Sequence, residues 1–184
     1  LVDMGYDYKD ATNYAVAACW EFIVPFVGAD IANIGAMSYP KAVDVALRGS
    51  LEKANSYDEF FGFVRDEIQK ECDKICANIN NLWFIPSPFM NVMIDGGIYD
   101  GAKYNNFGIH GTGIATGADS LAAIEKVAFE EKYITLAELR DALAADFEGY
   151  DELRGRLLAA PKYGNDNDFA DKYAVLFVEL HDEL

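Results

Sequence analysis

Cys19 and Glu21, separated only by Trp20, are the pair in this sequence best equipped for chemistry. A cysteine can act as nucleophile, metal ligand or hydrogen-atom donor, and a weak S–H bond makes the last role natural. A carboxylate two residues on can accept or deliver a proton. Residues i and i+2 of a strand lie on one side. A strand through Cys19 would therefore turn thiol and carboxylate toward one pocket. The plain alternative is a buried cysteine acting as a small hydrophobe beside a surface glutamate, and these three residues do not decide between the two.

Other groups have weaker claims. Lys162-Tyr163-Gly164-Asn165-Asp166-Asn167-Asp168 reads as a turn running into a helix N-cap. Tyr104 to Gly113 contains His110 and several glycines. Gly111, Gly113 and Gly117 are spaced wrongly for a dinucleotide fingerprint, and no Walker lysine follows. Their reading is close backbone approach in a crowded loop, with His110 a hydrogen-bonded structural group. Cys72 and Cys76 share a helical face, as zinc ligands can. They lack a second pair of partners, so core packing is expected and no metal site is assigned. His181 has no companion and is expected at the surface.

The elements around these groups follow from pattern. Asn13 to Trp20 reads as a buried strand, and Phe22 to Gly35, punctuated by Pro25 and Gly28, as an irregular loop. Pro40 opens a helix with Val43, Leu47, Leu51 and Ala54 inward. Ser56 and Glu59 form a capping box before a long helix. Its stripe is Phe60, Val64, Ile68, Cys72, Ile75, Ile79 and Leu82, and Pro86 and Pro88 end it. Asn91 to Ile94 is a short strand candidate, and Gly96 to Gly117 reads as mostly loop. Asp119 begins a helix with Leu121, Ile124 and Ala128 inward. Thr135 and Glu138 make a second capping box ahead of Leu136, Leu139 and Leu143. Gly149 is a helix stop, Asp151 to Ala159 a short helix closed by Pro161, and Asp168 to Leu184 a last helix aligning Ala170, Tyr173, Phe177 and Leu180.

Composition excludes several classes. The chain has 184 residues, 52% of them apolar and 14% aromatic, which is far from a disordered composition. A formal net charge of −16 argues against nucleic acid and anionic membrane as partners. Apolar runs fall well short of the roughly 20 residues of a membrane span, and no secretory leader pattern opens the chain. Three cysteines in so large a domain are not a disulfide framework, so a reducing cytoplasm is the expected location. The chain begins at Leu1 and stops at Leu184 within a helical pattern. The expectation is one partial domain, residues 1–184, internal to a larger fold.

Three blocks together resemble the glycyl radical enzymes, the pyruvate formate-lyase-like family. Cys19-Trp20-Glu21 resembles the Cys-x-Glu loop of the dehydratase and decarboxylase subgroup. Gly101-Ala102-Lys103-Tyr104-Asn105 with Gly117-Ala118-Asp119-Ser120-Leu121-Ala122-Ala123-Ile124 resembles its loop-then-helix block. Ala160-Pro161-Lys162-Tyr163-Gly164-Asn165-Asp166 resembles a late turn. The resemblance implies part of a ten-stranded α/β barrel, mostly helical in this segment, with the N-terminal half and the C-terminal radical segment absent. It implies that Cys19 and Glu21 are catalytic. Cys19 would give its hydrogen to a backbone glycyl radical and then abstract hydrogen from a small-molecule substrate, while Glu21 moves a proton. No cofactor is bound by this segment itself. The radical would lie on a missing segment, installed by an iron–sulfur activase that uses S-adenosylmethionine. Partners are therefore the substrate and the activating enzyme, with a homo-oligomer left open. The segment alone is expected to have no turnover.

The departures bear on substrate. Trp20 and Phe22 stand where the family usually has Val and Pro. Ala18-Cys19 lacks the adjacent cysteines of formate-lyases proper, and the loop 95–101 is several residues short. Diol dehydratases place His-Asp where this chain has Ala32-Asn33. Small residues at Ala32 and Ala36 near aromatic Trp20 leave room for a larger or aromatic substrate. Trp20, Ala32, Asn33, Ala36 and His110 are the candidate substrate contacts. An arylacetate decarboxylase is the first reading, and a dehydratase or other C–heteroatom lyase the second. An inert truncated domain that binds a partner subunit is the reading from a different class.

Overall fold

The computed structural model describes residues 1–17, 21–50, 53–81, 89, 93 and 102–183, with the backbone alone for 17, 21, 29–33, 105, 182 and 183. The chain forms two compact units. The first joins Leu1–Ala36 to Ile75–His110, and the second joins Met37–Lys74 to Gly111–Leu184.

The first unit opens with a 3-10 turn, Val2–Met4, and one turn of helix, α1 (Tyr8–Ala11). An antiparallel hairpin follows: β1 (Ala15–Ala17) and β2 (Glu21–Ile23), in the register Ala15↔Ile23, Val16↔Phe22 and Ala17↔Glu21. The expected strand at 13–20 is thus present in part, but it is not buried: Val16 is 54% exposed. The expected loop at 22–35 is mostly strand, because β3 runs from Gly28 to Ser38. Pro25 and Gly28 confine a single tight turn, in which Gly28 N donates to Val24 O at 2.9 Å and Phe26 takes a φ of 70°. Gly35 lies inside the strand. A Cβ there would come within 2.6 Å of the Ile75 side chain, so the glycine marks packing and not a bend.

The second unit holds most of the described helical residues. Ser38 caps α2 (Tyr39–Gly49), its Oγ accepting from Lys41 N, with Pro40 in the first turn. Val43 and Leu47 are buried as expected, together with Tyr39, Ala42 and Ala46. Leu51 lies outside the described residues, and Ala54 is half-buried. Before α3 (Tyr57–Ile79), Ser56 Oγ accepts from Glu59 N at 3.2 Å. The Glu59 carboxylate reaches back to Asn55 N at 2.7 Å instead of closing the box on Ser56. Phe60, Val64, Ile68 and Cys72 form its buried row. The helix stops at Ile79, while Leu82, Pro86 and Pro88 lie outside the described residues. In the strand candidate at 91–94 only Met93 is described, and it is helical.

β4 (Tyr104–Thr112) pairs with β3. Tyr104 N donates to Val27 O at one end and Thr112 Oγ1 to Met37 O at the other, so the strands run the same way. α4 (Ile114–Ile124) starts five residues before Asp119. The loop expected over 96–117 is therefore largely strand and helix where it is described. A π-helical segment, Glu125–Glu130, continues α4. It places the Glu125 carboxylate to accept from the Tyr173 hydroxyl and from Lys172 Nζ. α5 (Leu136–Ala144) carries the complete Thr135–Glu138 capping box. Leu136 and Leu139 are buried under it, whereas Leu143 is 39% exposed. α6 (Asp151–Ala159) and α7 (Asp168–Glu183) match the expected helices closely.

The core forms where α7 and α2 pack on α4. Ala170, Tyr173, Phe177 and Leu180 are buried along α7. Phe177 stacks on Tyr39 with ring centroids 4.3 Å apart. A Cβ on Gly117 would meet that same phenyl ring at 2.8 Å. Each such buried large side chain contributes about 1.5–3 kcal/mol. His181, expected at the surface, is half-buried and edge-on to Tyr39 at 6.4 Å. Cys72 is buried, but Cys76 is exposed, because the last turns of α3 leave the row that packs. Among the described residues no His, Cys, Asp and Glu cluster could hold a metal ion. No helix among them is long and apolar enough to cross a membrane.

Candidate active site

The β1–β2 hairpin carries the candidate chemistry. Glu21 is the first residue of β2 and pairs with Ala17 across the hairpin. Cys19, the expected hydrogen-atom donor, and Trp20 fall between those paired positions in sequence and lie outside the described residues. β1 is described to Ala17 and β2 from Glu21, so the expected strand through Cys19 lies outside the described residues.

Aromatic residues hold this hairpin. Phe22 meets Tyr14 at a centroid distance of 5.2 Å and Tyr6 edge-on at 5.6 Å. Tyr6 in turn lies 4.5 Å from Tyr104 and donates its hydroxyl to Asn106 Oδ1 at 2.8 Å. Beneath them is an ionic clamp. Lys103 Nζ bonds the carboxylates of Asp7 and Asp10, and the Tyr104 hydroxyl donates to Asp10 at 2.9 Å while accepting from Asp7 N. The Lys103 and Tyr104 hydrogen bonds hold the Asp10 carboxyl below its ordinary range. The same bonds from Asp10 and Asp7 push the Lys103 ammonium up. None of Tyr6, Tyr14 or Tyr104 was expected as a site residue. The one sequence signal for Tyr6 and Tyr14 is the density of tyrosine near the start of the chain, while Tyr104 stands in the 101–105 block.

The expected substrate contacts divide. Ala32, Asn33 and Ala36 all lie on β3, and His110 lies on its partner β4. Ala36 is exposed and His110 half-buried, while the Ala32 and Asn33 side chains are outside the described set. Strand pairing thus brings these four onto one two-stranded sheet. Trp20 lies outside the described residues.

The helical part of the second block, residues 117–124, meets the third block in the second unit. Asp119 Oδ1 accepts from Tyr163 N at 2.7 Å, which joins α4 to the turn at 160–166. Lys162 Nζ donates to Leu157 O and Ala160 O at the end of α6. Asp171 accepts from Gly164 N and Asn167 N, and Asn167 Oδ1 caps Phe169 N. Every polar group named here serves the turn, so this block is structural, as its composition suggests.

Comparison with known proteins places the chain. The sequence profile described as "Pyruvate formate lyase-like" matches residues 1–181. The isethionate sulfite-lyase of Bilophila wadsworthia is 28% identical over 93% of this chain and 24% of its own length. The trans-4-hydroxy-L-proline dehydratase of Clostridioides difficile is 32% identical over 75% of this chain and 21% of its own length. The glycerol-bound B12-independent glycerol dehydratase of Clostridium butyricum superimposes with a TM-score of 0.85 at 26% identity, covering 98% of this chain and 26% of that one. The chain spans about a quarter of the length of these relatives, and its fold is that part of theirs.

Proposed function

The chain belongs to the pyruvate formate lyase-like family of glycyl radical enzymes, and from that premise we propose that the whole protein is a radical lyase acting on a small molecule through Cys19 and Glu21. The observation that supports this most is the family match over residues 1–181, with Cys19 and Glu21 one residue apart in the sequence. A thiol hydrogen is the group in this chain suited to exchange with a carbon-centred radical. The glycyl radical, installed on another segment by an S-adenosylmethionine-dependent activase, supplies the one-electron step.

What the chain's own residues do then follows. Cys19 gives up its hydrogen atom and, as a thiyl, takes one from a substrate C–H bond, re-forming S–H. Glu21 accepts a substrate proton as a neighbouring bond to oxygen or sulfur breaks, and the leaving group departs with the bonding pair. Cys19 then returns a hydrogen atom to the product radical. Positioned proton transfer of this kind contributes about 10²–10⁴ in rate. Excluding water protects the intermediates. In a reducing cytoplasm the thiol stays available, which is the location this reading takes.

The relatives shift the order of the substrate readings. They are named for dehydration and for loss of sulfite. A dehydratase or other C–heteroatom lyase therefore replaces the arylacetate decarboxylase as first reading. The four small and polar positions Ala32, Asn33, Ala36 and His110 are its proposed substrate contacts, and residues 1–184 are proposed to serve as one contiguous part of the family barrel.

The test uses full-length protein, activated anaerobically and offered isethionate, trans-4-hydroxy-L-proline, glycerol and an arylacetate. Loss of sulfite or water is expected from one of the first three. Cys19→Ala should keep the radical doublet in electron paramagnetic resonance and abolish turnover, and Glu21→Gln should lower kcat by about 10²–10⁴. Carbon dioxide release from the arylacetate as the sole reaction would reverse the order of the two substrate readings. Turnover in Cys19→Ala would end the radical reading.

A further inference from the structure

Beyond Ile124, α4 widens into the π-helical segment Glu125–Glu130, where Glu131 N donates to Lys126 O at 2.9 Å. Such a bond takes in one residue more than an α-turn. Each side chain beyond it therefore falls where its predecessor would stand in an unbroken α-helix. The sequence favours the unbroken helix, since Leu121, Ile124 and Ala128 follow the α-helical period. In the structure Ala128 is half-buried, and the Phe129 ring is the one that reaches α3. It lies edge-on to Tyr57 at 5.7 Å and 6.2 Å from Phe60.

π-turns are rare and occur chiefly as single turns inside α-helices, so the extra residue calls for a cause. Two neighbouring helices supply one. Glu125 is held on α7, where its carboxylate accepts from the Tyr173 hydroxyl and from Lys172 Nζ. Phe129 is held on α3 by Tyr57 and Phe60. In an α-helix residues four apart lie one above the other. The wider turn swings Phe129 off that line, so that Glu125 and Phe129 meet different helices. The register has a consequence at the surface. Ala128, Phe129, Lys132 and Tyr133 line a cleft of about 600 Å³ together with Asn55 and Tyr57.

We propose that Glu125–Glu130 is a two-register element. Glu125 and Phe129, gripped by α7 and α3, hold it in the wide register. Loss of either grip lets it close into an α-helix with Ala128 inward, which withdraws the Phe129 ring from the wall of the cleft. Every residue involved belongs to the second unit, and the proposal does not depend on the radical reading. Its test follows a thiol placed at the pivot. In full-length protein carrying Ala128→Cys, alkylation of that thiol by a maleimide is measured by peptide mass spectrometry. Adding Phe129→Ala should slow the reaction by about tenfold as position 128 turns inward and is protected by packing. Phe129→Tyr, which keeps the ring, should leave the rate within about twofold of the parent.

The direction of the change separates a register shift from simple loosening. Melting of the segment would speed alkylation, so acceleration in Phe129→Ala overturns the proposal, as does an unchanged rate. The second grip is tested apart from the first, by the crystal structure of Glu125→Ala. There Glu131 N should move from Lys126 O to Val127 O, the bond of an α-helix. This variant also decides the matter if Phe129→Ala does not fold. A π-helical segment retained in Glu125→Ala overturns the two-grip reading.

Discussion

The described residues of the two units are held by different physics. The second is a conventional helical core. Its described buried apolar residues run from Met37 to Leu180, and four of them, Ala170, Tyr173, Phe177 and Leu180, form one stripe of α7. The first unit has Val24 as its single described buried apolar residue. It is held by half-exposed aromatic pairs, a lysine shared by two aspartates, and tyrosine hydroxyls used as hydrogen-bonding groups. The difference teaches where chemistry can be carried. A densely packed unit resists displacement of any one group. A clamped unit fixes its polar groups by a few directional contacts.

The largest expected effect breaks or keeps that contrast at once. Phe177→Ala removes a fully buried ring stacked on Tyr39 and seated against Gly117. Its denaturant midpoint should report a loss of about 3–5 kcal/mol. A loss under 1 kcal/mol would mean that the second unit is not a cooperative core. Gly117→Ala comes next. The added methyl would stand 2.8 Å from the Phe177 ring and 2.9 Å from Tyr39 Cβ. Overpacking costs about 1–3 kcal/mol, which outweighs a helix-propensity gain of about 1 kcal/mol. A stabilised Gly117→Ala would show that α4 and α7 have room to separate.

Gly117 also shows why part of the architecture was hidden from pattern reading. Its glycine, like Gly35 and Gly111, was read as loop, yet in each case a neighbouring side chain occupies the space of a Cβ, Ile75 for Gly35 and Tyr39 for Gly111. Close packing and chain reversal select the same residue, and one sequence does not separate them. β3 and β4 were lost in this way, as was the first turn of α4. What periodicity does encode was legible: the α7 stripe, the Thr135–Glu138 box and the bounds of α6. The proposed role of Cys19-Trp20-Glu21 rests on family resemblance, since by itself the triplet also reads as an ordinary buried thiol beside a carboxylate. The aromatic clamp was not legible, because Tyr6, Tyr14, Phe22 and Tyr104 are joined only by the fold.

A smaller effect sharpens the comparison within the helical unit. Thr135 Oγ1 accepts from Glu138 N, and Glu138 accepts from both Thr135 N at 2.9 Å and the Thr135 hydroxyl at 2.7 Å. Thr135→Ala should cost about 1 kcal/mol and, by amide exchange, should fray the first turn of α5 while leaving α7 protected. Equal loss of protection in both helices would show that local caps and the core are not separable here.

The smallest effect belongs to the clamp of the first unit and is seen in pH. Asp10 titrates below its ordinary value because Lys103, then Tyr104, hydrogen-bond its charged form. A depressed folded value means that this contribution is present above the unfolded aspartate value of about 3.9. It is lost as pH falls through the lower folded value. Lys103 is raised, so its contribution is complete below about 10.4 and lost only as pH rises through the higher folded value. Between pH 5 and pH 9 the clamp should therefore hold constant. Below about pH 4 the Asp7 amide, bonded to the Tyr104 hydroxyl, should lose its protection from exchange before any amide of α7 does. Asp10→Asn should remove that acid limb while leaving the global midpoint in place, and added salt should weaken the clamp at every pH because Lys103 and Asp7 are exposed. Simultaneous acid loss of protection in Asp7 and α7 would show that the two units unfold as one, and would erase the distinction between clamped and packed regions.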